Sequence, residues 1–259
     1  MFELALDPMT WGLLCVVALA AGFIDAIAGG GGMLTVPALL TAGLPPHVTL
    51  GTNKLAASFG SITASLTYYR RQLFNPRFWA ASILATAIGA ILGTLLVDYL
   101  STEFLNKLLP VVIILVACYS LFGKLSPTES HTLPPVTRLL KIKQWVQGLS
   151  LGFFDGMAGP GAGTFWTASN SMLYKVSLLL NCGLARSMNF VSNFISLITF
   201  VALGHVNFLL GISMGVFLML GAWIGAHSAI KFGNKLIKPL FNTIVIILAG
   251  KLVIEAYLS

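Results

Sequence analysis

The sequence predicts an all-α polytopic membrane protein, built from two inverted repeats of about five helical segments each, with glycine-broken helices at the repeat interface. Three observations carry this reading: a composition too apolar for a water-soluble globule, a motif set written twice, and a glycine run that follows an acid in both copies. Of 259 residues, 57% are hydrophobic and 9% charged, and the mean hydropathy is +0.90. Soluble domains are about a quarter charged, which keeps their surfaces wetted. The apolar residues also fall in long runs such as 11–28, 78–97, 208–223 and 240–258. A helix needs about 20 apolar residues to cross about 30 Å of hydrocarbon.

The repeat shows in four blocks in the same order. Gly22-Phe23-Ile24-Asp25-Ala26-Ile27-Ala28-Gly29-Gly30-Gly31 matches Gly152-Phe153-Phe154-Asp155-Gly156-Met157-Ala158-Gly159-Pro160-Gly161 at an offset of 130. After a two-residue insertion the offset is 132. Gly51 then meets Gly183, Lys54 meets Arg186, and Gly89-Ala90-x-x-Gly93 meets Gly221-Ala222-x-x-Gly225. The chain therefore divides into a first repeat at 1–122, a cytoplasmic linker at 123–143 containing Pro127, Pro134 and Pro135, and a second repeat at 144–259.

Five segments are expected in each half: 10–28, 33–44, 48–69, 76–100 and 104–122, then 144–158, 162–174, 178–204, 207–232 and 237–257. The second segment of each half is short for a full crossing. Residues 1–10 lack a basic stretch and do not read as a cleaved signal peptide. Basic residues cluster at segment ends, in Arg70-Arg71, Arg77, Lys124, Arg138-Lys141-Lys143, Lys175 and Lys231-Lys235-Lys238. With ten crossings all of these fall inside, as the positive-inside rule requires, while His47, Asp98 and His205 fall outside. An odd number of crossings inverts the second half. The formal charge of +7 is thereby explained without nucleic acid, for which no basic stripe with interleaved aromatics exists.

Function is sought at the breaks. Gly29-Gly30-Gly31-Gly32 and Gly159-Pro160-Gly161-Ala162-Gly163 cannot continue a stable helix, and irregular backbone at membrane depth survives only inside protein or facing water. Secondary transporters with inverted repeats hold substrate at such interruptions, and helices restarting there present positive dipole ends that suit an anion. Asp25 and Asp155 interrupt apolar runs, where a charge costs at least about 2.5–3.5 kcal/mol and marks function. Lys54 and Arg186 stand about 9–12 Å into their helices at about 1.5 Å per residue, and Asn53 and Asn189 add polar edges. The expected substrate-binding set is therefore Asp25, Gly29, Gly30, Gly31, Gly32, Asn53, Lys54, Asp155, Gly159, Gly161, Arg186 and Asn189. The Gly-x-x-x-Gly pairs at 89–93 and 221–225 read instead as close helix packing.

Neither a metal nor a cofactor is expected. Cys15, Cys118 and Cys182 form no CxxC pair, the histidines lack ligand spacing, and no phosphate-binding motif occurs. An intramembrane protease or acyltransferase would need a nucleophile with a positioned base; no motif pairs a serine with His227, which has no repeat counterpart. Transport of a small anion across the lipid bilayer is the better reading. Proton coupling is also expected: a Lys54–Asp25 pair in the empty state, with Asp155–Arg186 as its counterpart, would release its cation when the acid is protonated.

The Gly-Phe-x-Asp-x-x-Ala-Gly-Gly-Gly-Gly segment, the Gly-Thr-Asn-Lys-Leu-Ala run at 51–56 and the degenerate second copy resemble the sulfite exporter TauE/SafE family over nearly the whole chain. The second half departs from the first, with Pro160 and Arg186 where the first has Gly30 and Lys54. The resemblance implies a plasma-membrane permease for sulfite, sulfonates or related organosulfur anions. It carries Asp25, Gly29 to Gly32, Asn53 and Lys54 into the site, with Gly159, Gly161 and Arg186 by repeat.

Overall fold

The computed structural model describes residues 6–122, 132–233 and 235–236. These residues form nine helices: α1 (Pro8–Ala28), α2 (Gly32–Thr41), α3 (Pro46–Arg70), α4 (Ala80–Tyr99), α5 (Thr102–Phe122), α6 (Arg138–Met157), α7 (Ala162–Tyr174), α8 (Leu178–Ala202) and α9 (Phe208–Phe232). The tenth predicted segment, 237–257, lies outside the described residues. Helix starts follow local chemistry. Asp7 caps α1 by accepting from Met9 N and Thr10 N, both at 2.9 Å, with Pro8 in the first turn. Thr137 caps α6 through Leu140 N at 3.1 Å, so α6 begins six residues before the predicted 144 and takes in Arg138, Lys141 and Lys143. Asn207 caps α9 in the same way.

Helices α1, α4, α8 and α9 are long and apolar enough to cross a bilayer. Their outward faces are apolar, through Leu84, Ile88, Leu92 and Leu95 on α4 and Leu209, Ile212, Val216 and Leu220 on α9. Helix α3 is equally long but carries Asn53, Lys54, Ser58 and Ser61 inward, all buried. The ten residues of α2 and thirteen of α7 rise only about 15 and 20 Å at about 1.5 Å per residue. Each reverses at its glycine break and returns to the end where the preceding helix began, with Leu39 and Leu44 against Leu14, and Tyr174 and Val176 against Leu140, so α3 and α8 start at those same ends.

The two halves interlock. Helix α1 packs along α9, and α4 along α6. A Cβ at Gly89 or Gly93 would overlap the carbonyl oxygen of Leu149 or Phe153; one at Gly221 or Gly225 would overlap that of Leu19 or Phe23. These contacts are repeat equivalents, since 149 − 19 and 153 − 23 are 130 while 221 − 89 and 225 − 93 are 132. The Gly-x-x-x-Gly pairs thus bring backbones into contact as expected. Rising residue numbers match along both pairs, so each runs parallel. Helix α3 is antiparallel to α8, with Lys54 meeting Asn193 and Ser65 meeting Ser187. It is parallel to α9, where Gly211 faces Leu55 and Gly215 faces Phe59. Helices α1, α3 and α9 run one way, and α4, α6 and α8 the other.

One end of the bundle is basic, and the other carries histidines. At the basic end Leu73, Tyr68, Cys182 and Ala229 share a cluster, and Trp79, Tyr174, Val176 and Leu184 form another, which places Arg70, Arg71 and Lys175 together. At the opposite end Val97, Leu105 and Phe200 pack together beneath His47, Asp98 and His205.

Candidate functional site

The α1–α2 and α6–α7 breaks meet at the centre of the protein. Helix α1 ends because Gly29 takes φ 86° and donates its N–H to Asp25 O at 3.0 Å; Gly159, at φ 80°, closes α6 at the equivalent place. Only glycine adopts this left-handed conformation freely. Close approach then adds to the demand: a Cβ at Gly29 would collide with the Gly163 backbone and with the Arg186 guanidinium at 2.5–2.6 Å, and one at Gly32 would sit 3.2 Å from Pro160 Cα. The glycines serve as the contact surface between the two halves.

The ion pairs cross over. Lys54 Nζ donates to Asp155 Oδ1 at 2.5 Å and to Asn193 Oδ1 at 3.0 Å. Arg186 Nη1 donates to the Asp25 carbonyl oxygen and lies 3.8 Å from Asp25 Oδ1; Nη2 donates to Gly163 O at 2.9 Å and to Thr167 Oγ1 at 3.2 Å. The expected Lys54–Asp25 and Asp155–Arg186 pairs are therefore corrected. Each half's acid is held by the other half's cation. The physical cause is docking: the α6 break sits on α3, with Gly159 beneath the Lys54 ammonium, and the α1 break sits on α8, with Gly29 beneath Arg186.

The two pairs are unequal. Lys54 and Asp155 are 1% and 2% exposed, and Asp155 Oδ2 also accepts from Ser192 Oγ. Asp25 is 14% exposed; its oxygens accept from Gly31 N at 3.1 Å and from Asn189 Nδ2 at 3.3 Å. Arg186 is fully enclosed, and its Nε has no hydrogen-bond partner among the described residues.

Between the breaks lies a cavity of about 20 Å³, room for roughly one water molecule. Of the predicted site residues it is lined by Asp25, Gly29, Gly31, Gly32, Asn53, Asp155, Gly159, Gly161 and Asn189. Gly30, Lys54 and Arg186 do not line it. Gly30 accepts from Met33 N in the turn into α2, and the two cations stand behind the wall, engaged by the carboxylates that do face the cavity. Thr35, Ala57, Gly163, Asn193 and Leu218 complete the lining; Thr35 Oγ1 donates to Asn53 Oδ1 at 2.6 Å. Asn193 stands out in the sequence as a polar residue on α8, and Gly163 as the last glycine of the second break, but Thr35 gives no such signal. Among the described residues no group of three His, Cys, Asp or Glu side chains is placed to hold a metal ion.

The chain's sequence matches the family model described as sulfite exporter TauE/SafE over residues 14–252. It is 39% identical over 247 residues to a probable membrane transporter protein, ORF9, of Sinorhizobium sp, covering 93% of this chain and 92% of that one. It is 34% identical over 253 residues to the probable membrane transporter protein YfcA of Escherichia coli (strain K12), covering 97% and 92%. A probable membrane transporter protein of Haemophilus influenzae is also 34% identical, over 94% of each chain. No solved structure matches. The chain is a membrane transporter and belongs to the sulfite exporter TauE/SafE family.

Proposed function

We propose that this transporter is a permease of the cell membrane for sulfite, a sulfonate or a related small organosulfur anion, working by alternating access between two inverted repeats. The observation that carries the proposal is the meeting of both breaks at one cavity, with each acid bound to the opposite half's cation. Helices related by the repeat run in opposite directions, which supports inversion, and the basic end supplies the cytoplasmic face under the positive-inside rule. Helices α2 and α7 start at the cavity and direct their positive dipole ends toward it, which favours an anion. No covalent step is required of any residue at the site.

Charge sets the coupling. Two carboxylates balance two cations around the cavity, so an entering anion must displace a carboxylate from its cation. Asp25 is the carboxylate to displace, because its arginine is 3.8 Å away and it is the more exposed acid. A proton on Asp25 removes the negative charge beside Arg186, so an anion can take the carboxylate's place near a guanidinium still held by the Asp25 and Gly163 carbonyls. The cavity holds about one water, so the breaks must part for any sulfur oxyanion to enter. The test is thermal stabilisation of the purified protein by a panel of small anions. Sulfite and sulfonates should raise the unfolding midpoint with saturation, while chloride at equal ionic strength should not. Equal shifts from every anion would remove the organosulfur assignment.

A further inference from the structure

A second cavity, of about 480 Å³, opens on the outer surface between α3 and α9 at the basic end, lined by Thr63, Leu66, Thr67, Arg70, Arg71, Trp223 and His227. We infer that this groove binds the headgroup of an anionic phospholipid, with its phosphodiester held by Arg70 and Arg71. This site is separate from the central cavity, and the inference does not depend on which solute is carried.

Four observations converge on that occupant. The first is charge. Arg70 and Arg71 close α3, both exposed, and neither makes an ion pair with a carboxylate among the described residues. Lys231 lies one helical turn beyond His227 on α9, on the same face. Arginine presents paired donors that match a phosphate group. The second is position. Leu66 and Trp223, which line the groove, are 47% and 55% exposed, and Ile62, Tyr69, Leu220 and Ile224 on the same helices are exposed too. Exposed apolar residues on a membrane helix face acyl chains, so the groove is entered from lipid.

The third is depth. Arg70 is the last residue of α3 and Arg71 its C-cap, so the groove sits where hydrocarbon gives way to headgroups, and Trp223 is a residue type suited to that boundary. The positive-inside rule assigns this end to the cytoplasmic leaflet, the leaflet rich in anionic lipid. The fourth is preorganisation. His227 Nδ1 donates to Trp223 O at 2.8 Å, and the two rings lie 4.7 Å apart, which fixes both side chains at the rim. Thr63 and Thr67 donate their hydroxyls to carbonyls one turn back, which leaves their oxygens as acceptors and the arginines as the donors for a phosphate.

The experiment is native mass spectrometry of the full-length protein against phosphatidylglycerol, phosphatidylcholine of the same acyl chains, and inorganic phosphate. Wild type should retain phosphatidylglycerol through detergent stripping and should retain neither phosphatidylcholine nor phosphate. Arg70→Gln/Arg71→Gln should weaken phosphatidylglycerol binding by about twenty-fivefold, two contributions of roughly fivefold each for basic residues at an anionic interface. Lys141→Gln/Lys143→Gln, which removes charge elsewhere at the basic end, should leave binding unchanged. Equal retention of phosphatidylcholine, displacement of the lipid by inorganic phosphate, or wild-type lipid affinity in the arginine variant would each overturn the inference. The wild-type lipid comparison decides by itself if the double variant does not fold.

Discussion

Replacing Lys54 by alanine removes the partner of a carboxylate that is 2% exposed and lies 2.5 Å from the ammonium. Asp155 keeps the Ser192 hydroxyl, but no cation remains to offset its desolvation. Breaking a buried pair on one side costs about 3–5 kcal/mol. That is a large share of the roughly 5–15 kcal/mol that holds a typical domain folded. For a chain of this size about 1 kcal/mol corresponds to roughly 2–4 °C, so Lys54→Ala should lower the unfolding midpoint in detergent by roughly 6–20 °C. The crossed pairing then makes a sharper claim. Asp155→Asn removes the stranded charge and should restore most of the loss in Lys54→Ala, whereas Asp25→Asn should restore little. Fluorescence-detected size exclusion after a heating series reads all four proteins. Rescue by Asp25→Asn and none by Asp155→Asn would refute the crossed arrangement.

Three further predictions address the breaks, the arginine and the orientation. Gly29→Ala meets both a left-handed φ of 86° and the Gly163 backbone, and should cost more than about 3 kcal/mol. Gly43→Ala has the same φ range but nothing within 4 Å of the added methyl, so about 1 kcal/mol is expected in the same melting assay; equal losses would show that the Gly29 contact carries no weight. Arg186→Lys keeps the charge but cannot reach the Asp25 carbonyl, Gly163 O and Thr167 Oγ1 together, so the midpoint should fall by several degrees. A wild-type midpoint would make the arginine fork dispensable. Single cysteines at His47 and Asp98 should react with an impermeant thiol reagent from outside, and ones at Arg71 and Lys175 only from inside. Labelling of Arg71 and Lys175 from opposite sides would contradict the orientation.

The helices were legible in the sequence because lipid imposes long apolar runs and places charges at their ends. The breaks were legible because a dense glycine run follows an acid in both halves, a combination that simple helix packing does not call for. Most of the cavity lining followed from those breaks. What one chain cannot reveal is which half each break docks against. Lys54 and Asp155 are 101 residues apart, and the repeat pattern fits a pair within a half as well as one across halves. The docking of the α6 break on α3 and of the α1 break on α8 selects the crossed form. Thr35 gives no sign in the sequence for a related reason, since an isolated threonine in a short helix shows nothing of the cavity it faces. The histidine end shows the same effect. His47 and His205 appear as separate solvated residues, yet their rings lie 5.1 Å apart, and His205 Nε2 is 2.8 Å from Asp98 Oδ1. Helix ends that are distant in sequence converge there, and residue spacing carries no trace of it.

Flux through purified protein in liposomes tests the central claim most directly. The substrate should be a radiolabelled sulfonate, which stays fully ionised through the range tested, with initial rates taken at pH 8 and pH 5 for wild type and Asp25→Asn. Wild type should show saturable flux that competes with sulfite, with a lower apparent KM at pH 5. In Asp25→Asn the KM should not change with pH, because the residue that takes the proton is gone. Protein-dependent flux absent for every sulfur oxyanion would contradict the anion assignment, and wild-type flux with a KM flat across that range would contradict the role given to Asp25.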